Sequence, residues 1–345
     1  MRGNTLPQVL RRLAAGETLN AADAADAFRS VMTGEGTPAQ MAALLMGLRV
    51  RGEQPSEVAG AARALREAMT RLDAPDAGQL VDTCGTGGGA IGTFNVSTAA
   101  ALLAAGAGVR VAKHGNRSFT SKSGSADVLE ALGVPIDVPV ARMREVLDEA
   151  GIVFMFAPTM HPAMRHVGPV RRELGIQTVM NLIGPLANPA SAGRQVIGVA
   201  DPARLELIAG ALAELGTTHS LVVHGAPGMD EISPLGPTTV IELRGGTTTR
   251  WTIELRDLGV EPGLSVGDLA GGEPAENATI IERVLLGKGP PGAEAAVVLN
   301  AGAALYVGGA AATLGDGVAA ARTALHERRG WDALGRLRSA SASRR

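Results

Sequence analysis

Between residue 6 and about residue 70 the apolar positions fall into four groups spaced i, i+3, i+4, i+7. They are Leu6, Val9, Leu10 and Leu13; Ala24, Ala27, Phe28 and Val31; Met41, Leu44, Leu45 and Leu48; and Val58, Ala61, Ala62 and Leu65. That period marks one face of an α-helix, so this stretch predicts four amphipathic helices. The third opens with Thr37-Pro38-Ala39-Gln40, a capping box with proline at the first helical position, and Pro55 starts the fourth in the same way. Connections of roughly four to eight residues make these helices antiparallel neighbours.

From Leu80 the pattern changes to short β-branched runs alternating with helical segments. The strands expected are 79–83, 108–113, 152–156, 195–200, 219–224, 239–243 and 250–255. A small-residue helix follows the first strand, and others are expected near 127–133, 140–150, 203–215, 276–287, 292–308 and 313–328. Such alternation means a mainly parallel sheet flanked by helices. The last two strands, joined through Arg244-Gly245-Gly246, read as an edge hairpin. The fold class is therefore α/β: a small N-terminal helical domain (1–73) and a larger α/β domain (74–335) with a mainly parallel central sheet. Residues 157–190 are dense in Pro and Gly, and the Ser/Arg-rich end, 336–345, is expected to be a loose tail.

Composition narrows the function classes. Lys and Arg number 32 against 34 Asp and Glu, a net charge of −2 that argues against non-specific nucleic-acid binding. Glycine is 46 of 345 residues and aromatics only 2%, so the core must be built from Ala, Leu and Val. The single cysteine, Cys84, excludes an intrachain disulfide and fits a reducing compartment; at a strand end it reads as a small packed side chain. There is no apolar run long enough to span a membrane and no apolar N-terminal signal core, so a cytoplasmic location is expected.

The chemistry concentrates in two loops. After the first strand comes Gly85-Thr86-Gly87-Gly88-Gly89-Ala90-Ile91-Gly92-Thr93-Phe94-Asn95-Val96-Ser97-Thr98. Glycines let backbone N–H groups crowd around an anion, and the helix start behind them adds unpaired donors and partial positive charge. Gly87-x-Gly89-x-x-Gly92 nominally matches the dinucleotide fingerprint, but the next strand ends in Lys113-His114 where a ribose-binding acid belongs, and no lysine follows as in a Walker loop. After the second strand, Lys113-His114-Gly115-Asn116-Arg117-Ser118-Phe119-Thr120-Ser121-Lys122-Ser123-Gly124-Ser125 brings cations and hydroxyls together. Ligands of a parallel sheet bind beyond the carboxyl ends of its strands, so the loops face one crevice and suit a ligand phosphorylated at two ends. A solvated basic loop is the plainer alternative for the second segment.

These motifs, with Ser123-Gly124-Ser125-Ala126-Asp127, Phe156-Ala157-Pro158, His161-Pro162-Ala163-Met164, Asn181-Leu182-Ile183-Gly184-Pro185-Leu186-x-Asn188-Pro189, His224-Gly225 and Asp230-Glu231, resemble the anthranilate phosphoribosyltransferases, in family order from about residue 5 to about 325. The resemblance implies transfer of the phosphoribosyl group of 5-phosphoribosyl 1-pyrophosphate to anthranilate, releasing pyrophosphate, the second step from chorismate to tryptophan. It implies that Gly85, Gly88, Gly89, Thr93, Asn95, Val96, Ser97, Thr98, the run Lys113 to Ser121, and Ser125 hold the phosphoribosyl donor. Gly85, Asn116 and Arg171 would hold anthranilate, and Ser97, Asp230 and Glu231 would hold Mg²⁺. Lys113 and the metal would stabilise the leaving group, with no dedicated catalytic base. His161 and His166 are expected to be structural or rim residues. The resemblance further implies that part of 160–190 joins the helical domain, and a homodimer through that domain. The four stripes support the dimer, being too many for one small bundle to bury unaided. Partners are small molecules, with no nucleic acid and no membrane. A phosphoribosyltransferase for another aromatic amine, a pyrimidine-nucleoside phosphorylase and a non-catalytic nucleic-acid-binding relative are the alternatives.

The chain departs from the family pattern where Gly89 stands for an aspartate, Gly92 for a common asparagine, Gln177 for an arginine and Met180 for a phenylalanine. The first bears on the metal, the last two on acceptor specificity. For Gly89 the plain expectation is a position that needs only positive φ.

Overall fold

The computed structural model describes residues 5–118, 122–261 and 263–342. Phe119, Thr120 and Ser121, expected to touch the donor, lie outside the described residues.

Four helices come first: α1 (Leu6–Ala14), α2 (Ala21–Met32), α3 (Pro38–Arg51) and α4 (Pro55–Ala68). Thr37 and Gln40 form the reciprocal cap at the start of α3, with the Thr37 N–H donating to Gln40 Oε1 at 3.0 Å. There follow β1 (Val81–Gly85), α5 (Val96–Gly106), β2 (Val111–Gly115), α6 (Ser125–Ala131), α7 (Val140–Ala150) and β3 (Ile152–Phe156). Next come three helices, α8 (Ala157–Met160), α9 (Met164–Leu174) and α10 (Val179–Leu182), then β4 (Arg194–Gly198), α11 (Leu205–Leu215) and β5 (His219–Gly225). The chain ends with β6 (Thr238–Arg244), β7 (Thr247–Ile253), α12 (Pro274–Leu285), α13 (Pro291–Gly308), α14 (Leu314–His326) and α15 (Arg329–Ser341).

The seven strands form one sheet in the order β3-β2-β1-β4-β5-β6-β7. The first five run parallel, while β6 and β7 are antiparallel. Gly245 and Gly246, with φ of +57° and +80°, make the two-residue turn of the edge hairpin, a conformation that favours glycine. Strand order reverses between β1 and β4, and the crevice at their carboxyl ends is where a parallel sheet takes its ligand.

Alternation along each strand sends successive side chains to opposite faces. Val196, Leu221, Val223 and Val240 join one core with α5, α7 and α12–α15. Ile197, Val222, Ile241 and Leu243 join another, made of α1–α4, residues 163–187 and α11. This second core corrects one expectation. All four stripes are already buried within a single chain except for the half-buried Leu10, because α9–α11 and one sheet face complete the bundle. Burial of the stripes therefore does not require a partner.

The expected loose tail is likewise corrected. Residues 336–341 continue α15, and Leu334, Leu337, Ala340 and Ser341 are buried on one helical face. Arg338 pairs with Glu282 at 2.7 Å, and Arg142 donates to the Ala340 carbonyl at 3.1 Å. Arg336 and Ser339 face solvent, and the apolar period beneath them decides the structure. Among the described residues, no helix is long and apolar enough to cross a membrane.

Candidate active site

The glycine loop leaves β1 at the switch point and returns as α5. Gly87 and Gly88 have φ of +70° and +79°, so both need glycine's freedom. Gly89 is not in that region. A Cβ there would instead stand 3.1 Å from the Gly228 carbonyl oxygen and 3.4 Å from Asp230 Oδ1. The expectation that position 89 needs only positive φ is thus overturned: its demand is the close Gly228 carbonyl, with Asp230 in contact beside it.

Asp230 and Glu231 lie on the turn after β5, folded back across the ends of β1, β4 and β5. Three glycines admit that turn. A Cβ on Gly85 would lie 2.4 Å from Asp230 Oδ2, one on Gly198 would lie 1.5 Å from the Asp230 carbonyl oxygen, and one on Gly225 would lie 2.4 Å from that of Glu231. Gly87 N–H donates to Asp230 Oδ2 at 2.8 Å, and Thr93 Oγ1 donates to Glu231 Oε1 at 3.4 Å. Asn300, on α13, clamps the next residue from both sides: its Nδ2 donates to the Ile232 carbonyl at 2.9 Å and its Oδ1 accepts from the Ile232 N–H at 3.0 Å. Desolvation raises the pKa of Asp230, and it pushes Glu231 well above the usual carboxylate range, with the Asp230 charge adding to the effect. Glu231 Oε2 is buried without a hydrogen-bond partner. Asp230, Glu231 and Ser97 line one small cleft with Thr83, Cys84 and Asn300.

Lys113 belongs to β2 itself, and strand alternation turns it inward: it is 2% exposed. Its Nζ donates to the Thr83 carbonyl at 2.7 Å and to Ser97 Oγ at 3.4 Å, beneath the start of α5. Desolvation lowers its pKa and raises that of Asp82, a fully buried acid that the sequence reading missed. Asn188 Nδ2 donates to Asp82 Oδ2 at 2.8 Å, so the acid is satisfied without touching the lysine. Cys84 is a thiol whose pKa burial raises further, which fits packing rather than nucleophilic attack.

The second loop is held by its own contacts. Asn116 accepts from the Arg117 N–H at 2.8 Å through Oδ1, and its carbonyl accepts from Ala126 N–H at 3.2 Å and Ser125 Oγ at 3.3 Å. A Cβ on Gly115 would lie 2.1 Å from Ser125 Oγ. Asp127 Oδ2 accepts from the Ser118 and Gly124 N–H groups at 3.1 and 2.9 Å. The Arg117 guanidinium is taken up by Asp127 and Glu130, so it is not a free cation of the loop. In the glycine loop, Val96 begins α5 and Thr98 Oγ1 is buried without a partner.

His114 and His161 meet at 3.1 Å between their Nε2 atoms. Burial, aided for His114 by the neighbouring ring, lowers their pKa values to about 3 and about 4. Both are neutral at physiological pH. His161 is a buried packing residue, while His166 is half-buried beside Gly34.

Residues 175–178 pass over the glycine loop. Gly175 ends α9 in a left-handed cap, and Gln177 Nε2 then reaches to 3.8 Å from where a Cβ on Gly88 would stand. Arg171, on α9, forms no ion pair with any described carboxylate, Glu173 included, and burial lowers its pKa. Met180 is 4% exposed within the second core, so its departure from the family pattern is a matter of core packing. No periodic signal in the sequence marks Gly198 or Asn300, whose roles appear only where distant segments cross; Asn188 belongs to a family motif, but its bond to Asp82 shows only in the fold.

Two family models match the chain: the helical bundle domain of the glycosyl transferase family at residues 7–69 and its a/b domain at residues 77–329. The anthranilate phosphoribosyltransferase of Thermomicrobium roseum is 49% identical over 333 residues, covering 96% of this chain and 95% of that protein. The one from Rubrobacter xylanophilus is 50% identical over 320 residues, 93% of each. Among solved structures, the anthranilate phosphoribosyltransferase of Thermus thermophilus superimposes with a TM-score of 0.90 at 43% identity, over 97% of this chain and 99% of that one. The Saccharomyces cerevisiae enzyme, solved in complex with PRPP and Mg, gives a TM-score of 0.87 at 26% identity, over 97% of each chain. With both domains matched, and relatives about half identical along almost its whole length, the chain belongs to the anthranilate phosphoribosyltransferase family.

Proposed function

We propose that this protein transfers the phosphoribosyl group of phosphoribosyl pyrophosphate to anthranilate, forming N-(5-phosphoribosyl)anthranilate and pyrophosphate, as the second step from chorismate to tryptophan in the cytoplasm. The observation that carries the reading is the meeting, at the β1/β4 switch point, of the glycine loop with the Asp230-Glu231 turn. Backbone donors for phosphate and carboxylates for a cation face one another there, as a pyrophosphate ester requires.

Asp230, Glu231 and Ser97 fit Mg²⁺, a hard cation that takes oxygen ligands. Two carboxylates disfavoured in their charged form, one with an orphaned oxygen, gain from a neighbouring positive charge. Among the described residues there is no cluster of three or more acidic, His or Cys ligands, so donor phosphates and water would complete the shell. Asp230, Glu231 and Ser97 would hold Mg²⁺, which would supply positive charge against that of the departing pyrophosphate.

The chain's own residues supply position and field. The amine nitrogen of anthranilate attacks ribose C1 as the bond from C1 to the pyrophosphate oxygen breaks, and one amine proton passes to water or to the released pyrophosphate. The amine is already neutral, so no strong base is needed, and His114 and His161 are too weakly basic to act as one. N–H groups of Gly88, Gly89 and the α5 start bind phosphate oxygens, while the Gly87 N–H holds Asp230, with Asn116, Ser118 and Ser125 of the second loop on the other side. Lys113 acts through its field and through Ser97, since its ammonium lies beneath the helix start. Arg171, lacking a carboxylate partner among the described residues, takes the carboxylate of anthranilate, with Asn116 and Gly85 beside it. The family resemblance further supports a homodimer through the helical domain, where Val50 is 79% exposed.

The test is loss of anthranilate fluorescence on adding phosphoribosyl pyrophosphate and Mg²⁺ to the purified protein. Turnover that requires both additions supports the assignment, and none at any Mg²⁺ concentration overturns it.

A further inference from the structure

Behind the donor site the chain forms a brace. Residues 269–272 run antiparallel to 92–94, the link between glycine loop and α5. Phe94 N–H donates to the Leu269 carbonyl at 2.9 Å, and Gly271 N–H donates to that of Gly92 at 3.1 Å. The approach is close enough that a Cβ on Gly271 would lie 2.5 Å from the Thr93 carbonyl oxygen. The helix that follows, α12, carries Asn277 in its first turns, 2% exposed.

Helical side chains lean toward the N-terminus, and Asn277 reaches back into the brace. Its Oδ1 accepts from the Gly272 N–H at 2.7 Å, which leaves its Nδ2 to donate to Asn95 Oδ1 at 3.0 Å. Asn95 is thereby fixed in one amide orientation. Its Oδ1 also accepts from Ser123 Oγ at 3.1 Å, and its Nδ2 donates to the Ser123 carbonyl at 3.0 Å. One amide thus joins the start of α5, carrying the glycine loop, to the end of the second loop at Ser123. Asn95 makes no cap bond to α5, its side chain being used in this junction.

We infer that Asn277 is a positioning residue for the phosphoribosyl donor: through Asn95 it sets the separation of the two phosphate-binding loops. The inference rests on the donor reading above. A buried amide kept for stability alone would be satisfied anywhere; this one is placed where its loss frees the relative position of both halves of the donor site. Asn277→Ala removes one of the two donors to Asn95 Oδ1 and leaves that of Ser123. Asn277→Asp keeps an acceptor for Gly272 but turns an oxygen toward Asn95 Oδ1, favouring the flipped amide.

The experiment measures steady-state constants for both substrates and direct calorimetric binding of phosphoribosyl pyrophosphate with Mg²⁺, in wild type and in Asn277→Ala, Asn277→Asp and Ser123→Ala. Loss of one or two such hydrogen bonds should raise the donor's KM and Kd about five- to twentyfold, with the anthranilate KM within about twofold. A lowered Tm with unchanged donor constants would make Asn277 merely structural and overturn the inference. Should Asn277→Ala fail to fold, Asn277→Asp decides by the same criterion, with Ser123→Ala, which removes the other donor to Asn95 Oδ1 and leaves the bond to the Ser123 carbonyl, as the comparison. Wild type that neither binds nor uses the donor would instead overturn the donor reading itself.

Discussion

Gly198 lies directly under Asp230: a Cβ added to the last residue of β4 would stand 1.5 Å from the Asp230 carbonyl oxygen. The end of one central strand thus serves as the seat of the turn that carries both site carboxylates. Gly198→Ala cannot be absorbed by side-chain movement, because the atom it meets is backbone. It should cost about 2–3 kcal/mol of stability and abolish the thermal protection given by Mg²⁺ with phosphoribosyl pyrophosphate. Melting curves with and without these ligands test it, and unchanged protection would refute the seat.

Gly89→Asp should act on the metal response. The new carboxylate would stand beside Asp230, whose charged form desolvation already disfavours. Without a cation the variant should be less stable than wild type; with Mg²⁺ the deficit should shrink, and the Mg²⁺ dependence of rate should shift. Anthranilate's apparent affinity at saturating donor should change little. Superimposable Mg²⁺ titrations of the two forms would remove position 89 from the metal's surroundings.

Lys113→Met keeps the buried stem and deletes the charge beneath α5. The donor's KM should rise about tenfold or more, the weight of a charge-assisted contact. Anthranilate's KM should hardly move. Equal effects on both substrates would mean that the lysine supports the fold of the rim rather than the donor.

Arg171→Lys tests the acceptor carboxylate. Lysine preserves the charge and loses the planar fork, so anthranilate's KM should rise about tenfold while the donor's stays put. A variant with wild-type acceptor kinetics would release Arg171 from that role.

The His114–His161 contact predicts an acid-side loss of stability. Both rings have pKa values below the 6.5 of an exposed histidine, so the unfolded chain takes up protons that the folded chain refuses. Their contribution is full above about pH 6.5 and falls away as pH drops toward the folded values. His161→Asn should flatten the dependence of unfolding free energy between about pH 6 and 4.5 by up to about 1.4 kcal/mol per unit. Denaturant melts at several pH values measure the slope, and parallel slopes would contradict the assignment.

The chain's periodicity was enough for the four N-terminal helices and for the strands and most helices of the α/β domain, but not for α8–α10 or α15, and it singled out the glycine loop as a candidate anion site. These are local matters: apolar spacing selects the element, and a run of glycines announces close backbone approach wherever it sits. Motif order along the chain was enough for the family, and it pointed to Asp230-Glu231, Arg171 and the run from Lys113 as the candidate site residues proposed above. Tertiary structure decided the rest, because it depends on which distant segments cross. Lys113 turns inward only because β2 extends through it, and Arg117 is spent on Asp127 and Glu130 once α6 packs beside the loop. The end of the chain becomes helical because Leu334 and Leu337 find a core to enter, whatever its Ser/Arg composition. Gly198, Asn300 and Asn277 matter through partners 32, 68 and 182 residues away, Asp230, Ile232 and Asn95. Nothing in a residue's own neighbourhood encodes a contact made across such distances; only packing brings it about.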